Sequence, residues 1–357
     1  MINKINLIIK NIKNIINIKK LKKKIKIIDK KIINYINFKK NNNKKFIILK
    51  KKKSKYKKII KIYFNINLIY KDIKLLYSFF IKENINTKNE IIVYLKKIKN
   101  LKKKLNKLIF KKEDILNAII QINSGAGGKD SCNWVEILER MYKMWAEKKK
   151  FTYNIINYVL SEKIGKKYTI FEIHGKYAFG YLKGENGIHK LIRVSPYSKK
   201  YKRHTSFASV YVYPLIKDDT KIYIKKKDII FKTFRSRGAG GQNVNKVETG
   251  VRIIHIPTNL SVECTKTRSQ KINKEYAIKI LKSKLFSIKI EDEKNKKFSK
   301  KKKKIEWGNH TRNYIMHPYK LIKDLKTGYK TKKVDYIING NIDDIIQKYI
   351  KYVLEKN

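Results

Sequence analysis

Apolar and polar positions divide the chain into a helical beginning and a strand-rich remainder. Leu68-Ile69, Ile73, Leu75-Leu76 and Phe79-Phe80 recur at roughly helical spacing, as do Ile91-Ile92, Leu95, Ile98, Leu101 and Leu105. This predicts an antiparallel helix pair or small bundle within residues 1–110, with a poorly ordered start. Farther on, Trp134, Ile137, Leu138, Met141 and Trp145 form one apolar helix face, with both Trp in the core and Asp130 or Ser131 as N-cap. Tyr168–Ile173 and Ser206–Tyr213 alternate as strands do, the second closed by Pro214. Ile229–Arg235 is another strand, and Val251–Ile256 and Ser261–Thr265 flank a Pro257-Thr258-Asn259 turn. Ala277, Leu281 and Leu285 mark a helix, Lys296–Lys304 a charged linker, and Asp343-Asp344 the start of a last helix whose dipole they suit.

Composition changes the picture in two ways. The chain has 357 residues with 89 Lys+Arg against 28 Asp+Glu, a formal charge of +61. That length suggests about two or three domains, and an apolar fraction of 42% supports real cores. Lys interrupts every Ile run, so no segment reads as a membrane span. Cys132 and Cys264 alone exclude a disulfide scaffold and a cysteine-based zinc site. The charge suggests a nucleic-acid partner, but 81 of the basic residues are Lys and only 8 are Arg. Abundant Lys, Ile, Asn, Tyr and Phe with scarce Ala, Gly, Pro and Arg is also what an A/T-biased genome produces. Against that background Gly, Arg and Pro stand out. Residues 1–124 hold no Gly, 1–139 no Arg and 1–195 no Pro. Segment 1–110 carries 34 Lys and four acids. With no Arg and almost no Ser, its first residues do not resemble a cleaved transit peptide.

The densest chemistry lies at 235–252, where Arg235-Ser-Arg237-Gly238-Ala-Gly240-Gly241-Gln242-Asn243 is followed by Lys246 and Arg252. It lacks the Gly-Lys-Ser/Thr end of a phosphate-binding loop and the glycine spacing of a dinucleotide fold. It also exceeds what a turn between two strands needs. Gly240 and Gly241 allow close backbone approach. The next residue then offers its N–H as an oxyanion donor, and the Gln242 side chain can position water but has no useful pKa. Such a loop stabilises a transition state without supplying a base, so it suits insertion into a centre that supplies the rest. Its basic flanks point to nucleic acid.

Gly240-Gly241-Gln242 within Ser-Arg-Gly-Ala-Gly-Gly-Gln resembles the Gly-Gly-Gln loop of the bacterial class I peptide chain release factors. The likeness runs from about residue 112 to the end. It includes Gly125–Trp134, Leu138–Tyr142, Gly187–Lys190, His204–Phe207, His255–Thr258, Thr267–Gln270 and Trp307-Gly308. Residues 1–110 match only in position, length and helicity. Ser195-Pro196-Tyr197 resembles the Ser-Pro-Phe tripeptide of the type 2 factors, with Tyr for Phe.

The resemblance implies an α+β multidomain fold. It places a helical N-terminal domain at 1–110, the first part of a β-rich codon-reading domain at 111–225 and an α/β Gly-Gly-Gln domain at 226–295. A switch segment and C-terminal part, 296–357, would pack on the codon-reading domain. The implied function is termination at UAA and UGA, with hydrolysis of the peptidyl-tRNA ester. Gly127, Asp130, Ser195, Pro196, Tyr197, Arg203, His204 and Thr205 would read the codon. Gly240, Gly241 and Gln242 would be catalytic, Arg235, Lys246 and Arg268 would hold RNA, and Trp307 would belong to the switch. Gln242 would be N5-methylated by a glutamine methyltransferase.

Asp130 stands where Glu is usual, Asn133 where Asp is, Arg237 where Ser is and Asn243 where His is. The expected partners are the rRNA of both subunits, the mRNA stop codon, P-site peptidyl-tRNA and a class II release factor GTPase. The resemblance implies no metal, organic cofactor or membrane, and a cytoplasmic monomer off the ribosome that is not a stand-alone enzyme. A ribosome-rescue hydrolase shares the loop but lacks the Ser195–Phe207 segment. A non-catalytic basic RNA-binding protein does not explain Gly238–Gln242.

Overall fold

The structure is a computed structural model that describes residues 6, 9, 12–37, 43–82, 88–162, 164–197, 202–216, 224–235, 247–295 and 310–356. The chain divides into two compact units, residues 1–111 with 347–357, and residues 112–346.

The first unit is built on three long helices, α1 (Ile18–Asn37), α2 (Asn43–Lys82) and α3 (Lys88–Ile109). Ile59, Ile66 and Ile73 of α2 and Ile91, Ile98 and Leu105 of α3 are buried at seven-residue intervals. That spacing keeps one seam facing its neighbour, as in coiled coils, so the bundle forms even though these two helices carry 21 Lys between them. Asn14 donates to Gln347 at 3.2 Å, and Lys24 Nζ donates to the Leu354 carbonyl at 3.1 Å.

The second unit holds an eight-stranded sheet ordered β11-β10-β9-β4-β5-β1-β3-β2. Its strands are β1 (Asn117–Ser124), β2 (Thr152–Leu160), β3 (Lys166–His174), β4 (Gly187–Val194), β5 (Arg203–Leu215), β9 (His310–Ile315), β10 (Leu321–Asp324) and β11 (Lys330–Thr331). All neighbours are antiparallel except β4 and β9. Across the sheet lies α4 (Gly128–Lys148), whose Trp134, Leu138, Met141 and Trp145 are buried as its spacing predicts. Ile137, expected on the same face, is only half-buried. Trp145 Nε1 donates to Asp343 at 3.0 Å, the first residue of the last helix (Asp343–Lys356).

A smaller antiparallel sheet, β6 (Ile229–Phe234), β7 (Gly250–His255) and β8 (Leu260–Cys264), packs on a long helix, α5 (Gln270–Asn295). Val251, Ile253, Val262 and Cys264 share a core with Ala277, Ile280 and Leu281, and with Ile119, Ile156, Ile170 and Leu215 of the large sheet.

One local expectation is corrected. The N-cap of α4 is Gly127, not Asp130 or Ser131. The lead-in is pinned to β5 by Gly125 N–H to Phe207 O at 2.8 Å and Phe207 N–H to Ala126 O at 2.9 Å, so the helix begins as soon as that pairing ends. Gly127 has φ +127°, and a Cβ there would come within 2.5 Å of Ser206, so only Gly fits.

Candidate nucleic-acid interface

The β4–β5 hairpin and the tip of α4 meet at one corner of the large sheet. Its register pairs Val194 with Arg203, Arg193 with His204 and Ile192 with Thr205. Ser195-Pro196-Tyr197 therefore starts just beyond the last pair, beside the residues expected to read the codon with it. Arg203 and His204 are exposed and Thr205 half-buried, Pro196 is exposed and Tyr197 half-buried. Ser195 is turned inward at 3% exposure, its Oγ accepting the Tyr197 N–H at 3.3 Å. Pro196 fixes φ between them, so the tripeptide forms a short, locally bonded turn.

Asp130 is buried as well, at 3% exposure. Arg193 donates to its Oδ1 from Nε at 3.1 Å and from Nη2 at 2.7 Å, and Ser206 Oγ donates to its Oδ2 at 2.7 Å. Arg193 Nη2 also donates to Asn133 Oδ1 at 2.8 Å. The carboxylate thus fastens the first turn of α4 to both hairpin strands and presents no charge to solvent. Gly127 at the N-cap makes no side-chain cap bond, so among the described residues the first-turn N–H groups at this tip have no capping side chain. Sequence reasoning missed Arg193, although its type is scarce in this chain.

A second buried cluster stands behind the corner. Arg312 of β9 donates to Glu185 at 2.5 and 2.8 Å and to Asp324 at 3.0 and 3.2 Å. Tyr142 Oη donates to Glu185 at 3.0 Å. Burial works against the charge on Glu185, but the charge and hydrogen bonds of Arg312 together with its other polar neighbours, Tyr142 among them, hold the carboxyl below the usual range. His189 bridges the Glu185 carbonyl at 2.9 Å and Tyr314 Oη at 3.3 Å. Burial, helped by Arg312, pushes its pKa down to about 4, so it is neutral at pH 7. Trp134 of α4 donates to the His189 carbonyl at 3.1 Å and meets Tyr314 edge-on. The cluster thereby sets the seat of α4.

The glycine-rich segment lies between β6 and β7. Gly240, Gly241, Gln242 with its expected modification, Lys246 and Trp307 lie outside the described residues. The flanks are described. Arg235 is exposed where β6 ends, and Arg268 is exposed before α5. Phe234 pairs with Gly250, where a Cβ would come within 2.8 Å of the Phe234 ring. Asn273, fully buried on α5, ties the return strand down. Its Nδ2 donates to the Thr249 carbonyl at 2.8 Å and the Thr267 carbonyl at 2.7 Å, and its Oδ1 accepts the Thr267 N–H at 2.9 Å. Gln270 Nε2 adds a bond to the Glu248 carbonyl at 3.0 Å. Asn273 also escaped sequence reasoning, because an Asn near a helix start resembles a solvated residue. Among the described residues no group of three or more His, Cys, Asp or Glu could hold a metal, and no helix is long and apolar enough to cross a membrane.

Comparison with known proteins gives this corner a context. A PCRF domain matches residues 19–210 and an RF-1 domain matches residues 218–326. Peptide chain release factor 2 of Borreliella burgdorferi is 47% identical over 246 residues, 68% of each chain. The protein of that name from Thermotoga maritima is 44% identical over 248 residues, 69% of this chain and 67% of its own. The solved structure of RF2 of Thermus thermophilus aligns with a TM-score of 0.68 and 27% identity, over 96% of this chain and 97% of its own. On these matches the chain belongs to the bacterial class I peptide chain release factors, of the release factor 2 type.

Proposed function

We propose that this release factor terminates translation by reading UAA and UGA in the ribosomal A site and triggering hydrolysis of the P-site peptidyl-tRNA ester. Termination with stop-codon recognition goes with its family; the codon pair and the residue roles are our reading. The observation that carries that reading is the hairpin register. It pairs Arg203, His204 and Thr205 with Val194, Arg193 and Ile192, so Ser195-Pro196-Tyr197 begins at the same hairpin end, where Arg193 and Ser206 bond Asp130 in the first turn of α4.

In this scheme the backbone N–H groups around Gly127 meet the first base. The Ser195 hydroxyl, both donor and acceptor, turns out to serve A or G at the second base. His204 stacks on a base and Thr205 hydrogen-bonds the third purine. Asp130 and Asn133 act through Arg193 by fixing the tip.

Gly240 and Gly241 bring the backbone N–H of Gln242 to the ester, where it stabilises the developing oxyanion. Water attacks the carbonyl carbon, the C–O3′ bond breaks, the 3′ oxygen leaves with a proton and the peptide leaves as a carboxylic acid. The Gln242 side chain helps admit water, while rRNA and the terminal ribose supply the remaining groups. Arg235, Lys246 and Arg268 hold phosphates. The segment around Trp307 switches the loop-bearing module outward. A class II release factor GTPase and a glutamine methyltransferase acting on Gln242 complete the set of partners, in the cytoplasm.

The test is peptide release from ribosomes carrying formyl-methionyl-tRNA, programmed with UAA, UAG, UGA or a sense codon. Release on UAA and UGA alone is expected. Gly241→Ala, which displaces the backbone donor, should slow release about 100-fold with ribosome binding retained, and equal loss of both refutes the division of labour. Exchanging Ser195-Pro196-Tyr197 for Pro-Ala-Thr should favour UAG over UGA. Unchanged preference removes the type 2 codon assignment.

A further inference from the structure

The three-stranded sheet has one apolar and one cationic face. Val251, Ile253, Val262 and Cys264 face the core. On the opposite face, pairing aligns Lys232 with Arg252 and Arg252 with Glu263. Phe234, two residues along β6, shares that side, and the Arg252 guanidinium lies 5.9 Å from its ring centroid. This face forms one wall of a cleft of about 520 Å³, and Tyr158 and Lys167 at the β2–β3 edge line the other.

The chemistry of the lining is lopsided. Its single acid, Glu263, already pairs with Arg252 at 2.5 Å. Lys167 reaches only Glu162, 3.4 Å away and 87% exposed, a pair of little consequence in water. Lys232 and Arg235 make no ion pair among the described residues and are exposed. Tyr158 remains 47% exposed, although the Lys166 ammonium lies 5.0 Å from its ring centroid. Exposed cations and an exposed ring lining one groove match a phosphate backbone with an unstacked base. A duplex does not fit, because its bases present no free face.

We propose that this cleft binds a short single-stranded RNA segment, with one base stacked on Tyr158 and the flanking phosphates held by Lys167, Lys232 and Arg235. The site shares no residue with the tripeptide or the α4 tip; it shares Arg235 with the phosphate contacts proposed above and rests on that reading for this one residue, whereas Tyr158, Lys167 and Lys232 belong to the cleft alone. It acts on the free factor and stands or falls independently of the codon assignment.

A chain of charge +61 binds RNA non-specifically, so affinity alone decides nothing and the test must localise. The probe is hexauridylate, fluorescein-labelled for binding and carrying 5-iodouridine for photocrosslinking, with the full chain. The cross-link is expected on the peptide containing Tyr158. Tyr158→Ala should weaken binding about fivefold or more, and Tyr158→Phe, which keeps the ring, should restore it. Lys232→Gln with Arg235→Gln should lower the salt slope by about 1.4, at about 0.7 per phosphate on a single strand.

The control is Lys99→Gln with Lys103→Gln on α3, which removes equal charge from the helical unit. The site is refuted if Tyr158→Ala binds unchanged, if the cross-links fall only on the helical unit, or if the control pair weakens Tyr158 cross-linking as much as the cleft pair does. Uridine monophosphate that binds as tightly as hexauridylate and displaces it would make this a nucleotide pocket and overturn the RNA assignment.

Discussion

The α4 tip and the return strand after the glycine-rich segment are both held by buried polar side chains, of opposite kinds. At the tip the fasteners are charged, with Arg193 on Asp130 and, behind it, Arg312 between Glu185 and Asp324. At the return strand the fastener is neutral, with Asn273 satisfying Thr249 and Thr267 through its amide. A buried ion pair is costly to break but brings little net stability over an apolar replacement. Its use at the tip therefore points to placement more than stability. A neutral amide fixes a strand without burying a charge. The contrast predicts that the corner at the α4 tip is the pH-sensitive and mutation-sensitive part of the unit.

The largest effect should come from breaking the charged side. Arg312→Met leaves Glu185 and Asp324 buried and facing each other without their cation. Loss of one partner from such a cluster costs about 3–5 kcal/mol, so urea unfolding of the large unit should shift by that order. A shift below about 1 kcal/mol would mean that the two carboxyls are relieved by water or protonation, and the charged-versus-neutral contrast would fail.

Acid should separate the two regions next. Between pH 4 and 6.5 the His189 imidazole is neutral in the native state and protonated in the unfolded chain. The unfolded chain then binds the extra proton, so stability is lost as pH falls through that window. The full effect, reached below about pH 4, is on the order of 3 kcal/mol. Amide exchange at pH 4.5 should therefore accelerate in β4 and β9 before β7 and the start of α5, where Asn273 does not titrate. Uniform acceleration would place the acid sensitivity elsewhere.

Much of this contrast was hidden in the sequence for physical reasons. The α4 face was legible because Trp134, Leu138, Met141 and Trp145 keep helical spacing through a polar background. β5 was legible from its alternation. β1 was not, since Ala118, Ile119, Ile120 and Ile122 are buried on both faces and read as one apolar run. Arg312 carried no reading from the sequence, yet the scarcity of Arg in this chain was a usable signal, as it was for Arg193. Asp130 was assigned to codon reading by the family resemblance, and its side chain is buried. Its orientation depends on Arg193, 63 residues away, which local pattern cannot show. Asn273 draws on a carbonyl 24 residues upstream.

Asn273→Ala tests the neutral side. It removes the partner of the half-buried Thr249 carbonyl and Thr267 N–H, at a cost of about 1–3 kcal/mol. The loss should be local. Exchange should rise at Thr267 and along β7, release should slow, and the UAA/UGA preference should stay fixed because the α4 tip is untouched. A changed codon preference would show that the two regions are not independent.

The smallest effect, and the sharpest test of placement against stability, is Arg193→Lys. Lysine keeps the positive charge and can reach Asp130, but a single ammonium cannot reproduce the planar fork that grips Asp130 through Nε and Nη2 while holding Asn133. The charge stays paired, so unfolding should shift by only about 1 kcal/mol. The first turn of α4 would nonetheless lose its fixed distance to the hairpin, and with it the position of its N–H groups relative to Arg193 and Ser206. Discrimination against near-stop sense codons should then weaken while release on UAA is largely kept. If stability drops and discrimination is unchanged, Arg193 is a structural brace. If discrimination drops with stability nearly intact, the buried charge at this tip serves codon reading.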